Sequence, residues 1–200
     1  MTVIVVLLIG TALAGARDAP EPFVALETGD LVFQSSSSRQ AAGIEQATGS
    51  PYSHVGIIKQ TESGPVVIEA VEPVRSTPWR TWWRRGRQHR VTVLRVHDLP
   101  PADAKAAVTA AESYLGRHYD AQFDWDDQRI YCSELIEKAF QRGVHLTLGH
   151  MQKLGTLRLA GLEGPLRERF GGRVPLDREI ITPAGLAADP RLDLVFSSFP

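Results

Sequence analysis

Short runs of β-branched residues separated by turn-forming residues fill the first half of this 200-residue chain, and helical spacing dominates the middle. Thr28-Gly29-Asp30 turns into Leu31-Val32-Phe33, a first strand, which the serine-rich loop Gln34 to Ser38 ends. Arg39 to Thr48 has the Ala, Ile and Gln content of a short helix, broken by Gly49-Ser50-Pro51. His54 to Lys59 and Val66 to Val71 flank the turn segment Gln60 to Pro65 and read as an antiparallel hairpin. Val91 to Val96 alternates apolar and polar residues, as a further strand does. Ala102 to Leu115 reads as an Ala-rich helix with Pro at its start and Gly116 at its end. Tyr131 to Phe140 reads as a second helix, with Leu135, Ile136, Ala139 and Phe140 on one face and Gly143 as its stop. The pattern is α+β, with an antiparallel sheet packed against helices.

Two stretches depart from this pattern. Arg75 to Arg90 carries three tryptophans and six arginines and is expected as an exposed loop with a helical turn. Residues 144–200 are rich in Gly and Pro, with weak helical segments and a last apolar run, Leu192 to Phe196, suited to a closing strand. At the other end, the apolar run through Ile9 meets Ala14-Gly15-Ala16, an A-x-A cleavage pattern, so residues 1–16 read as a signal peptide. No Lys or Arg precedes the run, which leaves an uncleaved anchor as the alternative. Residues 17–200 then form a single domain, since 43% apolar content over this length supports one good core.

A net charge of -1 gives no general pull toward nucleic acid, so no nucleic-acid partner is expected. The chain has one cysteine, Cys132, which excludes an internal disulfide even in an oxidising compartment. A free cysteine is often an inert buried hydrophobe. Cys132, however, falls in the first turn of a predicted helix, where unpaired N–H groups and the helix dipole favour negative charge on a nucleophilic thiol.

Thiol catalysis also needs a base and a group that orients it. His54 and Glu69 suit these roles, because a turn centred near Glu62-Ser63 sets Glu69 opposite residues 55–57. Glu69 would then accept a hydrogen bond from the His54 Nδ1–H. Five further histidines compete: His89, His97, His118, His145 and His150, of which His118 is the strongest rival. No histidines stand at i, i+4 or beside a thiolate cluster, so no metal site is expected.

Taken in order, Thr28 to Gln34, Tyr52 to Ile57, Ile68-Glu69-Ala70, and Tyr114 to Leu135 with its Tyr119-Asp120 and Tyr131-Cys132-Ser133-Glu134 blocks resemble the YiiX-like branch of the NlpC/P60 superfamily. The resemblance implies a circularly permuted papain-like fold in which the histidine strand precedes the cysteine helix. It implies Cys132 as nucleophile, His54 as base and Glu69 as orienting acid, with no cofactor. Gln34, or the loop Ser35 to Ser38, would supply oxyanion donors or simply cap the loop; Tyr131 would flank the pocket, and Asp30 would be a structural turn residue. After Gly143 little matches, so the C-terminal part is expected as a lineage-specific lid or edge.

The implied activity is amide hydrolysis through an acyl-thioester, acting on a peptide, amide or acyl substrate of the cell envelope from a periplasmic or extracellular location. Lipid ester or thioester cleavage, or acyl transfer, on the same fold is the alternative enzyme. A non-catalytic protein gripping an envelope or membrane surface through Trp79, Trp82 and Trp83 with the neighbouring arginines is the alternative of another class.

Overall fold

A computed structural model describes residues 25–38 and 40–200, so the expected signal or anchor at 1–16 lies outside the described residues. A six-stranded antiparallel sheet in the order β10-β5-β1-β2-β3-β4 forms its centre. These strands are β1 (Leu31–Gln34), β2 (His54–Thr61), β3 (Gly64–Glu69), β4 (Arg75–Pro78), β5 (Thr92–Val96) and β10 (Leu192–Ser197). The expected hairpin, the strand near 92 and the closing strand are all present.

Side chains alternate across this sheet with a period of two, and both faces are covered. Leu31, Phe33, Val55, Ile57 and Ile68 turn to one face and join a core with Ala107, Ala111, Leu135, Ile136 and Phe140. Those partners come from α3 (Pro101–Glu112) and α4 (Cys132–Val144). In α3, Pro101 pre-sets the first turn, and Ala104, Ala107, Val108 and Ala111 form its buried stripe. The two helices approach closely at Gly143, where a Cβ would lie 2.7 Å from the Ala107 backbone.

The opposite face corrects one expectation. Residues 75–90 are not an exposed loop: they form β4 and α2 (Trp79–Arg85), followed by a helical turn at Arg87–His89. Trp79, Trp82 and Trp83 pack inward against Val32, Ile58, Val67 and Val93, at 5%, 0% and 2% exposure. They stand at i, i+3 and i+4, one face of a helix, and burying three large rings outweighs displaying them. The expected grip on a surface through these tryptophans therefore has no displayed ring to act through, and the exposed residues of α2 are Arg80, Thr81 and Arg84.

α1 (Ala41–Thr48) lies where a short helix was expected. Between α3 and α4, and from α4 to β10, the chain is built from short pieces. β6 (His118–Tyr119) runs parallel to β7 (Arg129–Ile130), and β8 (Gln152–Lys153) pairs antiparallel with β9 (Glu179–Ile180). α5 (Glu163–Arg169) and α6 (Pro183–Ala187) complete the helices. Among the described residues no helix is long and apolar enough to cross a membrane.

Candidate active site

Cys132 is the first residue of α4, and Glu134 closes that helix end by accepting a hydrogen bond from the Tyr131 N–H at 3.1 Å. The thiol is only 4% exposed. His54 begins β2, paired across β1 with Gln34. Glu69 ends β3, and the pairing of Ile57 with Ile68 sets it beside Gly56, in the register expected from the turn. The absence of a side chain at 56 is a local requirement: a Cβ there would meet Val67 Cγ1 at 2.3 Å and the Glu69 Cβ at 3.5 Å.

The two strand residues meet directly. His54 Nε2 lies 2.6 Å from Glu69 Oε2, and Cys132 stands near enough to the same imidazole to raise its pKa. With Nε2 engaged by Glu69, Nδ1 is the nitrogen left for the thiol. This corrects the expected use of Nδ1 toward the carboxylate: the acid binds the outer nitrogen because it projects from the neighbouring strand, two residues along. His118 is not at the site; it is exposed and holds Glu72 at 2.7 Å.

Glu69 is fully buried and carries more partners than the sequence indicated. Thr77 Oγ1 donates to its Oε1 at 2.7 Å, the Arg85 guanidinium donates to its Oε2, and Arg75 Nε stands 3.9 Å from Oε1. Burial pushes this carboxyl up, but the His54 hydrogen bond and charge, with Arg85, outweigh it and hold the group at about 2. Burial likewise works against charge on His54; hydrogen bonds and charge from Cys132 and Glu69 overcome it and raise the imidazole to about 9. The contacts of His54 thus favour the protonated ring, with the carboxylate fixing its Nε2 side.

Tyr119 lies close enough to Cys132 for the sulfur's charge, after burial, to push its phenol up. Arg169, from α5, spans Ala121 O and Gln40 Oε1 with its guanidinium over the Phe123 ring at 4.2 Å. Tyr131 does not flank an opening: it is buried, stacks edge-on with Phe123, and its hydroxyl accepts from the Ile181 N–H. Gln34 is fully buried on the His54 side, packed over Gly86, and neither atom of its amide has a hydrogen-bond partner. A cleft of about 510 Å³ opens beside His54, walled by Ser36 to Ser38, Ala70, Glu72, Arg75, Arg85 and Tyr119.

Residues 25–196 match a family described as permuted papain-like amidase enzymes, YaeF/YiiX, the C92 family. The chain belongs to that family. It is a papain-like cysteine amidase by family, with the α+β fold expected of one. The match runs well past Gly143, so the C-terminal segment belongs to the shared C92 pattern and is not a lineage-specific addition. The chain is 35% identical over 177 residues to the uncharacterized protein YiiX of Escherichia coli strain K12, covering 87% of this chain and 88% of that one. A crystal structure of yiiX from Escherichia coli O157:H7 superposes with a TM-score of 0.83 at 36% identity, covering 87% of this chain and 98% of that chain.

That relative is described as a metalloprotein. Among the described residues of this C92 chain, no three His, Cys, Asp or Glu side chains gather so as to hold a metal ion. His54 and Glu69 direct their facing atoms at each other. The donor set of the described residues therefore does not fit a metal.

Arg85, Thr77, Tyr119 and Arg169 are site residues that the sequence pattern does not single out. Arg85 carries a signal, since it follows Trp82 by three residues on a helix whose apolar face is clear. Tyr119 carries one only through the Tyr119-Asp120 block of the resemblance, and Arg169, at the end of the short α5, carries none.

Proposed function

We propose that this C92 protein hydrolyses an amide through an acyl-thioester, with Cys132 as nucleophile, His54 as acid and base, and Glu69 as the group that orients the imidazole. The observation that carries the reading is a single ring, His54, hydrogen-bonded to a buried carboxylate and close enough to the one thiol of the chain to feel its charge.

The Cys132 thiol passes its proton to His54 as the sulfur attacks the carbonyl carbon, and the carbonyl π electrons move to oxygen. As that oxygen's electrons return, the C–N bond breaks and the His54 imidazolium gives its proton to the leaving amine. Water then attacks the thioester as His54 takes its proton; the C–S bond breaks, the acid product leaves, and the sulfur regains its proton from His54. Throughout, Glu69 holds Nε2–H, so that Nδ1 is the atom that moves protons.

The substrate we favour is a cell-envelope peptide or a related amide, met after export. The same route cleaves esters and thioesters, so substrate screening separates the peptide reading from the lipid one. With the tryptophans buried, α2 displays no aromatic anchor for a lipid surface.

The test is labelling of the folded protein with an activity-based thiol probe, followed by turnover of envelope peptides against acyl esters. Cys132→Ala is expected to lose labelling and all turnover while keeping its fold, since a small side chain at a helix start contributes little packing but the whole covalent step. Turnover at the wild-type rate in that variant would remove Cys132 from the mechanism. Labelling confined to unfolded protein would restore the binding-protein reading.

A further inference from the structure

Two guanidinium groups line the cleft, Arg75 at the start of β4 and Arg85 at the end of α2. Arg85 directs one nitrogen at Glu69 and is 28% exposed along its side chain. Arg75 is half-exposed, and its one ion pair among the described residues is the 3.9 Å approach of Nε to Glu69. The buried carboxylate thus draws both groups to the cleft, and each guanidinium has further N–H donors beyond that contact.

The acidic groups nearby do not use up that capacity. Glu72 also lines the cleft, but its Oε1 accepts from His118 at 2.7 Å and its Oε2 from the Tyr119 N–H at 2.8 Å. Both of its oxygens are turned to the β6 side. Ser36, Ser37, Ser38 and Ser53 also line the cleft. A guanidinium fork matches the two oxygens of a carboxylate or phosphate, and serine hydroxyls complete such a site with neutral donors.

Accepting Cys132 as the nucleophile, we propose that this cleft binds an oxyanion on the substrate, a carboxylate or phosphate near the scissile bond, through Arg75 and Arg85. Arg75 is then a specificity-determining residue. Arg85 has two duties, since it also fixes Glu69.

Alkylation of Cys132 tests this without knowledge of the natural substrate. The full-length protein is treated with iodoacetate and with iodoacetamide, which differ in charge but displace iodide from carbon in the same way. The ratio of their second-order rates cancels the intrinsic reactivity of the sulfur and reports anion attraction alone. At low ionic strength the ratio is expected to fall roughly fivefold in Arg75→Gln, the upper range for a solvent-exposed charge pair, and to be largely retained in Arg75→Lys. Arg85→Gln is expected to lower the ratio and to slow both reagents as well. Protection by succinate or by inorganic phosphate shows which oxyanion the cleft prefers. An equal ratio in wild type and Arg75→Gln, with both reagents reacting, would overturn the anion site and leave the nucleophile standing. Failure of either reagent to reach Cys132 in the folded protein would overturn both.

Discussion

Replacing Glu69 with glutamine keeps the shape of the site and removes one charge. In the native site that carboxylate receives the His54 Nε2–H, the Thr77 hydroxyl and the Arg85 guanidinium. A glutamine with its oxygen at the Oε2 position still accepts from His54 and Arg85, and its NH2 donates to the Thr77 hydroxyl, which turns to accept. Without the charge, Arg85, which has access to solvent, is the partner held least firmly. What His54 loses is a charge-assisted hydrogen bond inside a buried site, typically about 1.5–3 kcal/mol. Adding the poorer fixing of the ring, Glu69→Gln is expected to slow acylation by about ten- to a thousand-fold, or on the order of 1.4 to 4 kcal/mol.

The sign of the pH effect follows from the same contacts. Glu69 helps to raise His54 from 6.5 to about 9, so its loss lowers the imidazole. Acylation needs the imidazolium to protonate the leaving group, and its alkaline limb therefore moves to lower pH in the variant. The single-turnover burst of p-nitroaniline from an acyl p-nitroanilide, recorded across pH, follows acyl-enzyme formation with an amine leaving group that the imidazolium must protonate. An unchanged burst rate with an unchanged alkaline limb would show that another residue orients His54.

Three further outcomes follow from the packing and the charges. Gly56→Ala is expected to lose about 1–3 kcal/mol of stability in urea unfolding, because its methyl group would meet Val67 Cγ1 at 2.3 Å, and to slow the burst as β3 carries Glu69 away from His54. Trp82→Ala is expected to cost about 3–5 kcal/mol in the same assay, whereas a surface-displayed ring would cost well under 1 kcal/mol. The pH dependence of wild-type stability has two edges. His54 is raised from 6.5 to about 9, so its contribution is complete below 6.5 and is lost as pH climbs through about 9. Glu69 is lowered from 4.5 to about 2, so its contribution is complete above 4.5 and is lost as pH falls through about 2. Unfolding midpoints should therefore be highest between about pH 4.5 and 6.5, and Glu69→Gln should flatten both edges; equal slopes in variant and wild type would contradict the pairing.

Elements whose period is set by a neighbour in sequence are legible in this chain, and elements set by a distant surface are not. The hairpin register follows from a turn of fixed composition, and the turn alone is enough to bring Glu69 within reach of His54. The α4 stripe and the N-terminal position of Cys132 are equally local. The stretch 75–90 misleads for a different reason: its arginines suggest solvent, while the i, i+3, i+4 spacing of its tryptophans records a buried helix face. Charge describes one side of an amphipathic helix and says nothing of the other. The ring nitrogen that meets Glu69 is not legible either, because tautomer and rotamer depend on where the carboxylate stands across the strand, which register alone does not settle.

The arrangement also explains why α2 belongs to the site although it carries none of the three expected catalytic residues. A carboxylate with no exposure must be balanced on every side, and His54 can occupy only one of its oxygens. Thr77 from β4 and Arg85 from α2 supply the remaining donors, so the tryptophans that seat α2 on the sheet also fix the position of the Arg85 guanidinium. Loss of that seat would free Arg85, leave Glu69 with an unbalanced charge, and raise its pKa toward the ordinary range. The rings thus act on the chemistry through packing alone: Trp82, stacked 5.8 Å from Trp79 and 6.2 Å from the His54 ring, joins the helix to the imidazole it supports.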